Sequence, residues 1–528
     1  MGRMRRMGLP LLALAAGLAV PGSALAEESC PVRVDASGFA DNAQLLRYAQ
    51  RQQDFGPRPT ASAAHTDYVD WLEDEISAVP GISISSLDYE VDRWDSVATT
   101  LNVGGRSLDV AGAIPFTSTT GAGGTTAPLV YLPAGTNITA ANSAGKIVVR
   151  DLPWNNAPYL LFYPPLLGWS VYDPGLTINM LGSDSTEVLA QAGVDAQAAA
   201  DAGAAGVLMV SQLPTAQIRG TYAPYEGLPI RTAGAFVGVD EGEALKAAIR
   251  SGGASATGTF VSDVRWTPAR TRTVLATLRG ASDQKIVITS HTDGMNPVWD
   301  NGPLSMLAQA RWFAALPAAC RPKTIQFAFT TGHLYQHLTG PDRREGGAGQ
   351  YAALLDREYD EGKVAGVIVL EHIGARRYDA VARGGGLPGK QLVADRSLNE
   401  LLLLPVTDST PLRSAVQTAI ESRDVRRTAM VKGLSAADLT TVPHHCSFGG
   451  EGTPYVQHLL PTISPIAAPK MLFTPQFGVE ALDVDLWRRG TLAFTDVALK
   501  MGTMSQADIA GDFTFMRDQR ARGARTCV

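Results

Sequence analysis

Cysteine is scarce in this sequence: four residues in 528 are too few for a fold that disulfides alone hold together. Charged residues make up only 18% of the chain, and the formal net charge is -6. The lack of excess basic residues argues against a nucleic-acid-binding protein that relies on phosphate contacts. Apolar residues still reach 45%, which excludes global disorder and supplies a large core. The G-x-S-x-G nucleophile elbow is missing, which weighs against a typical serine hydrolase.

The first 26 residues have the pattern of a secretory signal peptide. An arginine-rich start at residues 3–6 precedes an apolar run over residues 9–20, and Ala24-Leu25-Ala26 is a small-x-small cleavage site. The apolar run is too short to span a bilayer, and no later run is long enough. We therefore predict cleavage after Ala26, export to the periplasm or out of the cell, and a mature chain without a membrane span.

Export would bring the four cysteines into an oxidising compartment, where two disulfides can form. Three pairings are open. Cys30 and Cys527 lie near the two ends of the chain, and the termini of a domain often lie close together. We therefore expect the pairs Cys30–Cys527 and Cys320–Cys446.

Composition divides the mature chain into three parts. Residues 97–265 are rich in Gly, Ala, Ser and Thr, carry short strand patterns and two helix patterns, and contain no histidine. In residues 266–528, runs of Val, Ile and Leu alternate with helix patterns, which is typical of a parallel sheet covered on both faces. The sequence predicts an α/β fold with a mostly parallel mixed sheet between helices. Residues 27–96 and 266–528 would form this catalytic-type domain, and residues 97–265 a small inserted α/β domain.

Ionisable residues follow three predicted strands, over residues 285–289, 324–329 and 363–370. Ligands bind such sheets at the carboxyl ends of the strands, so these residues should meet at one edge. One imidazole and two carboxylates from separate strand ends suit a zinc ion. The candidates are His291, Asp293 and Asp300 after the first strand, His333 after the second, and Glu371 after the third. Asp293 is placed to accept the imidazole N–H of His291 and fix its tautomer.

These motifs resemble the secreted zinc aminopeptidases, a family of co-catalytic dizinc exopeptidases related to glutamate carboxypeptidase II and the transferrin-receptor ectodomain. The inserted region resembles the protease-associated domain of that family. The resemblance covers about residues 43–500, and the shared motifs are Phe55-Gly56-Pro57-Arg58-Pro59, His291-Thr292-Asp293, Asp300-Asn301-Gly302 and Glu371-His372-Ile373-Gly374. It implies that His291 binds the first zinc, Asp300 bridges two zincs, Glu371 completes the first site and Asp293 orients His291.

The sequence departs from the family pattern at the second zinc site. Where the family has two adjacent glutamates, a general base and a zinc ligand, this chain has His333 and Leu334. The family's last zinc-binding histidine is missing from the segment Met471–Pro475. We therefore expect one zinc ion, with His333 as the general base, and a second ion would need substitute ligands. His372 is expected to point away from Glu371.

Four other residues are candidates for substitute ligands or acid–base groups. His337 lies four residues after His333, a spacing that puts two ligands on one helix face, although two polar loop residues are the alternative. His444 and His445 precede Cys446, and Glu451 lies in the Gly-rich turn that follows. The resemblance puts this region beside the substrate pocket, and a plain structural role is the alternative for all three.

Two functions from different classes follow. The first is an exported metal-dependent peptidase, similar to an aminopeptidase, that acts on peptides or amides through an altered metal site. The second is an inactive homologue that binds peptides or a protein through the old cleft. Transfer chemistry on peptide termini, as in glutaminyl cyclase, is a third option that relies on a different ligand set. Metal analysis of the purified protein would separate the first two functions.

Overall fold

The structure is a computed structural model that describes residues 30–223, 227–338 and 346–527. The predicted signal peptide, residues 1–26, lies outside the described residues. The described α-helices are α1 (Asn42–Asp54), α2 (Ala63–Ser77), α3 (Ala140–Ser143), α4 (Gln191–Asp201), α5 (Thr215–Ile218), α6 (Val239–Gly252), α7 (Gly302–Ala315), α8 (Gly347–Asp360), α9 (Thr410–Ser422), α10 (Gly452–Gln457), α11 (Val484–Thr503), α12 (Gln506–Ala510) and α13 (Phe513–Ala521). Short 3-10 helices cover Tyr159–Phe162, Gly253–Ser255, Ala318–Cys320 and Val479–Ala481.

The strands are β1 (Ile82–Val103), β2 (Arg106–Leu108), β3 (Gly112–Ala113), β4 (Thr125–Tyr131), β5 (Ile147–Asp151), β6 (Trp154–Pro158), β7 (Gly168–Tyr172), β8 (Ser183–Glu187), β9 (Gly206–Val210), β10 (Gly234–Val237), β11 (Thr257–Leu278), β12 (Lys285–His291), β13 (Thr324–Thr330), β14 (Val364–Val369), β15 (Arg376–Ala382), β16 (Lys390–Asn399), β17 (Leu402–Pro405), β18 (Thr428–Val431), β19 (Thr441–Val442), β20 (Thr462–Ile463) and β21 (Arg525–Thr526).

One large mixed sheet organises the chain, in the order β20-β14-β12-β13-β11-β4-β5-β9-β10-β3. The strands from β20 to β13 pair in parallel, β11 is antiparallel to both β13 and β4, and the strands from β4 to β10 pair in parallel again. The prediction of a mostly parallel mixed sheet flanked by helices is confirmed.

The central strands are buried on both faces because helices cover both. Every residue of β13 and β14 is buried, and only Lys285 of β12 is partly accessible. Ile286 and Ile288 pack in the main core with side chains of α1, α2, α7 and α11. Val287 between them faces the opposite side and packs with α8, α10 and α12. This two-sided burial explains the continuous apolar runs, because no strand face needs polar residues.

Two long strands connect the two halves of the sheet. β1 and β11 each contain 22 residues and pair antiparallel from Ile82–Leu278 to Val103–Gly258, with an irregular register at Ser96–Ala98. The expected insert boundaries at 97 and 265 fall inside these strands. The assignment of residues 97–265 to a separate domain stays a prediction.

The disulfides are Cys30–Cys320 and Cys446–Cys527, so the expected pairing was wrong. The parallel pairing of β19 with β21 brings Cys527 beside the segment that carries Cys446. Cys30 lies instead against the 3-10 helix Ala318–Cys320, which follows α7. The two cysteines near the chain ends therefore belong to different parts of the fold, and proximity of termini was a misleading guide.

Among the described residues, no helix is both long enough and apolar enough to cross a bilayer.

The disulfide connectivity leads to a direct prediction. Proteolysis of the unreduced protein should release two cross-linked peptide pairs, one with Cys30 and Cys320 and one with Cys446 and Cys527. Mass spectrometry before and after reduction identifies both pairs, and thiol titration of the unreduced, denatured protein should find no free thiol. A cross-linked peptide pair containing Cys30 and Cys527 would contradict this connectivity.

Candidate metal centre

The candidate centre forms where three parallel strands end. β12 pairs with β13 on one side and β14 on the other, with His291 opposite Thr330 and Thr289 opposite Val369. The carboxyl ends of these strands therefore reach the same edge of the sheet. His291 is the last residue of β12, and Glu371 and His372 follow the end of β14. The edge predicted from the sequence is the edge where these side chains meet.

His291, Glu371 and His372 form a compact group of potential metal ligands. One ligand atom from each of the three residues lies within 4.8 Å of the ligand atoms of the other two, and all three residues are buried. His291 and Glu371 belong to the predicted set. His372 does not, because the sequence placed its side chain on the opposite side.

A left-handed backbone turn brings His372 into the group. Neighbouring residues in a strand point to opposite faces, which is why His372 was expected to face away from Glu371. His372 has φ of +54°, so the chain leaves the extended conformation at this residue. Its Nε2 lies 3.8 Å from Glu371 Oε2. A non-glycine residue in this region costs about 1–2 kcal/mol, which the surrounding packing must supply.

Both imidazoles in the group present a lone pair at Nε2. The Nδ1 atom of His291 is 2.7 Å from the main-chain oxygen of Asp293, and Nδ1 of His372 is 2.6 Å from that of Ala467. A carbonyl oxygen only accepts hydrogen bonds, so each Nδ1 carries the proton and each Nε2 does not. Metal-binding histidines are commonly held this way, with the second nitrogen fixed by a carbonyl.

The three ligand atoms lack protein partners. In the described part of the chain, His291 Nε2, Glu371 Oε2 and His372 Nε2 are buried without a hydrogen bond. Such groups normally find a partner, because an unpaired buried polar atom costs about 1–3 kcal/mol. Two imidazole nitrogens and one carboxylate oxygen are a set that binds catalytic zinc and leaves a coordination position open. The residues present therefore fit a zinc ion.

Burial shifts the pKa of all three groups towards the neutral form, and a cation would reverse this shift for Glu371. Burial lowers the pKa of His291 well below its usual value, and it lowers the pKa of His372 to about 3, so both rings are neutral. Burial raises the pKa of Glu371 to about 8, although the nearby His333 opposes this. A divalent cation beside the carboxylate would favour its charged form.

Asp300 is held by Arg58 rather than by the three-residue group. Nη2 of Arg58 donates to both carboxylate oxygens, at 2.8 and 2.9 Å, and both side chains are buried. Burial raises the pKa of Asp300 to about 6, although the charge of Arg58 lowers it. Arg58 belongs to the Phe55–Pro59 motif, so the sequence contained this partner without indicating its contact.

Asp293 contacts His291 differently from the expectation. Its main-chain oxygen, and not its carboxylate, accepts the imidazole N–H. Its carboxylate oxygen Oδ2 accepts the hydroxyl of Thr60 and, at 2.8 Å, the main-chain N–H of Leu334. Leu334 itself packs in an apolar cluster with Trp94 and Phe116.

His333 lies beside the group and is tied to Glu451. Its ring stacks on that of His291 with centroids 4.1 Å apart, and its Nδ1 is 3.1 Å from Glu451 Oε1. Burial lowers the pKa of His333, but the hydrogen bond and charge of Glu451 outweigh this effect and raise it to about 9. Glu451 also donates its main-chain N–H to Glu371 Oε1 at 2.6 Å. The sequence named both residues but not this pairing.

The other predicted histidines lie elsewhere. His337 lines a shallow pocket with Asp92, Arg270 and Tyr335. His444 and His445 line a different cavity, and their Nδ1 atoms face the main-chain oxygens of Thr441 and Ser435, each at 2.8 Å.

A cavity of about 250 Å³ opens beside the candidate centre. Glu371, His372 and His333 are part of its wall. Residues from the region of the expected insert form another part, among them Trp154, Leu213 and Ile218, and the segment Ala467–Thr474 contributes Leu472 and Phe473. The Lys470 side chain in that segment is 5% exposed and forms an ion pair of 2.7 Å with Asp184 in β8. The wall is mainly apolar and joins the two halves of the sheet.

Solved structures share this architecture, although no protein-family model and no curated protein matches the sequence. BSAP, a zinc aminopeptidase from Bacillus subtilis, is 16% identical over 89% of this chain and 95% of that chain, with a TM-score of 0.58. A peptidase M28 precursor from Shewanella amazonensis is 14% identical over 88% and 96%, with a TM-score of 0.55. An aminopeptidase from Aneurinibacillus sp. strain AM-1 is 16% identical over 88% and 94%, with a TM-score of 0.51. The chain therefore has a zinc-aminopeptidase-like fold.

Gly450 offers a test of the packing around Glu371. Gly450 has φ of +38°, and a Cβ atom there would overlap the Glu371 carboxylate. We expect Gly450→Ala to displace this carboxylate and weaken zinc binding about 10- to 100-fold, measured by competition with a chromogenic chelator. Gly385→Ala is the matched control, because Gly385 has φ of +70° but nothing within 4 Å of its added Cβ. Equal zinc affinity in both variants would show that Gly450 does not support Glu371.

Proposed function

We propose that this chain is an exported zinc-dependent hydrolase of peptide or amide bonds, with the metal held by His291, Glu371 and His372. The observation that carries the proposal is the convergence of three buried ligand atoms without protein partners at the edge of the sheet. The fold supports it, because the similar structures include zinc aminopeptidases.

The three ligand residues have different roles in binding an ion. When bound, zinc polarises a substrate carbonyl and lowers the pKa of a water molecule. His291 and His372 are neutral donors because carbonyl oxygens hold their Nδ1 protons. Glu371 contributes the negative charge that offsets part of the charge of the ion. Its other oxygen stays fixed by the main-chain N–H of Glu451.

His333 is the proposed acid–base residue. It lines the cavity together with Glu371 and His372, so a substrate in the cavity would lie beside its ring. Its Nδ1 is held by Glu451, which leaves the imidazole oriented by a neighbouring carboxylate, as in many acid–base sites. Proton transfer by such a residue contributes about 10²–10⁴-fold to a rate.

The cavity indicates the class of substrate. Its walls are mainly apolar, and the cation at its edge, Lys470, is already paired with Asp184. Glu187, another wall residue, accepts hydrogen bonds from the Ser211 hydroxyl and the Gln212 N–H. An uncharged, apolar side chain or acyl group next to the bond to be cleaved therefore fits best.

Export is proposed from two independent features. The signal-peptide pattern of residues 1–26 directs a chain out of the cytoplasm. Two disulfides link all four cysteines, which is typical of proteins in oxidising compartments.

One observation favours the alternative, an inactive homologue that binds peptides or a protein. The carboxylate of Asp300, which the family resemblance assigns to both zincs, is engaged by Arg58. A chain that lacks a bridging zinc ligand and has Leu334 at the second zinc site could use the cavity only to bind peptides or a protein. Such a protein would hold no zinc and would not hydrolyse peptides.

The ligand assignment can be tested with two substitutions. His372→Ala should release the ion, because it removes one of three ligands, and elemental analysis of purified protein should fall from one zinc per chain to none. Asp300→Asn should keep the ion, although the loss of a buried ion pair costs about 3–5 kcal/mol of stability. Circular dichroism and a thermal melt confirm that each variant is folded before its zinc is counted.

The opposite pattern would overturn the assignment. Zinc retained in His372→Ala and lost from folded Asp300→Asn would mean that the family's bridging aspartate is the ligand. A wild-type protein without zinc and without activity on apolar peptide substrates would favour the binding module.

A further inference from the structure

Glu451 contacts three parts of the candidate centre without lining the cavity. It precedes helix α10 and is only 4% exposed. Its neighbour Gly450 lines the cavity, whereas Glu451 is not part of that wall. Its carboxylate is also outside the group of three potential ligands, His291, Glu371 and His372. Any effect of Glu451 on substrate must therefore pass through other residues.

Both carboxylate oxygens and the main-chain N–H of Glu451 have separate partners. Oε1 lies 3.1 Å from Nδ1 of His333, and Oε2 lies 2.7 Å from the hydroxyl of Thr330, the last residue of β13. The main-chain N–H donates to Glu371 Oε1 at 2.6 Å, after the end of β14. One residue thus connects the ends of two strands that both flank β12.

The segment that carries Glu451 is held on both sides. Cys446 is bonded to Cys527, which anchors the beginning of the segment. Gly450 packs directly against the carboxylate of Glu371. Beyond Glu451, the hydroxyl of Tyr455 in α10 lies 3.2 Å from that of Thr289 in β12. A residue held this firmly can fix the orientation of its partners.

We propose that Glu451 is a positioning residue: its carboxylate orients the imidazole of His333 against His291, and it is neither a metal ligand nor a proton donor to substrate. The inference rests on the proposed function for its catalytic consequence, but the orientation itself is a property of the metal-free protein. The arrangement resembles other sites in which an acid–base residue is oriented by a third group.

Two substitutions of Glu451 distinguish its effect on the orientation of His333 from its effect on packing. Glu451→Leu removes the acceptor at similar size, and the Thr330 hydroxyl keeps the Ser290 main-chain oxygen, 3.0 Å away, as a partner. Glu451→Gln restores an acceptor oxygen without the charge. We expect kcat to fall about 10- to 100-fold in Glu451→Leu, with little change in KM, and to recover in part in Glu451→Gln. Zinc content should stay unchanged, because the N–H that supports Glu371 remains.

Glu400→Gln is the matched control. Glu400 is another buried glutamate, at 5% exposed, but its carboxylate accepts the main-chain N–H of Tyr378 and lies near the charge of Lys470 instead of contacting a histidine of the candidate centre. Its substitution should leave kcat unchanged. Thermal melts of all three variants show whether a lower rate reflects fewer folded molecules.

A second measurement needs no activity. In zinc-free protein labelled with ¹⁵N-histidine, the His333 signals are assigned by their loss in His333→Gln. We expect the Nδ1 resonance of His333 to shift in Glu451→Leu and to return towards the wild-type position in Glu451→Gln. Unchanged His333 resonances, or a wild-type kcat in Glu451→Leu, would overturn the inference. A wild-type protein without zinc or hydrolysis would end the proposed function, while the resonances would still decide the role of Glu451.

Discussion

The register between β12 and its two parallel neighbours is the constraint on which the candidate centre depends. Because β12 pairs with β13 and β14 along its length, the three strands end at the same edge and their last side chains converge. A shift of one residue in a strand reverses the face of every side chain. His291 or Glu371 would then point into the apolar core. The burial of both sheet faces specifies this register strongly, since every strand position has a packed neighbour.

The centre combines this rigid frame with a few irregular positions. The left-handed conformation of His372 and the close approach of Gly450 to Glu371 both depart from regular structure. Such positions are retained only where surrounding packing over-determines them, and they are common at functional sites. Here these irregular positions allow two consecutive residues after β14 to direct their ligand atoms into the same space, which has the size of an ion. A second irregular element, the turn before α10, brings Glu451 to His333 from a part of the chain far away in sequence.

Sequence patterns predict the three central strands and their common edge well, but they predict the irregular positions poorly. The apolar runs of β12, β13 and β14 and their polar ends predict the sheet edge at which His291, His333 and Glu371 lie close together. His372 was missed because the alternation of strand side chains is a rule for extended backbone, which ends at that residue. Nothing in local sequence shows that Arg58 pairs with Asp300, because the two are distant in the chain and meet only after folding. The cysteine pairing failed for the same reason, since the β19–β21 pairing has no strong sequence signal.

The ion pair between Lys470 and Asp184 bears on how ionic strength affects the cavity wall. It joins the cavity-wall segment Ala467–Thr474 to β8, and the side chains of Lys470 and Asp184 are only 5% and 25% exposed. Dissolved salt screens charges on the surface within about 8–10 Å at moderate ionic strength, but it screens shielded pairs much less. The contact between this segment and β8 should therefore depend only weakly on ionic strength. This part of the cavity wall would then keep its position in dilute and in concentrated salt.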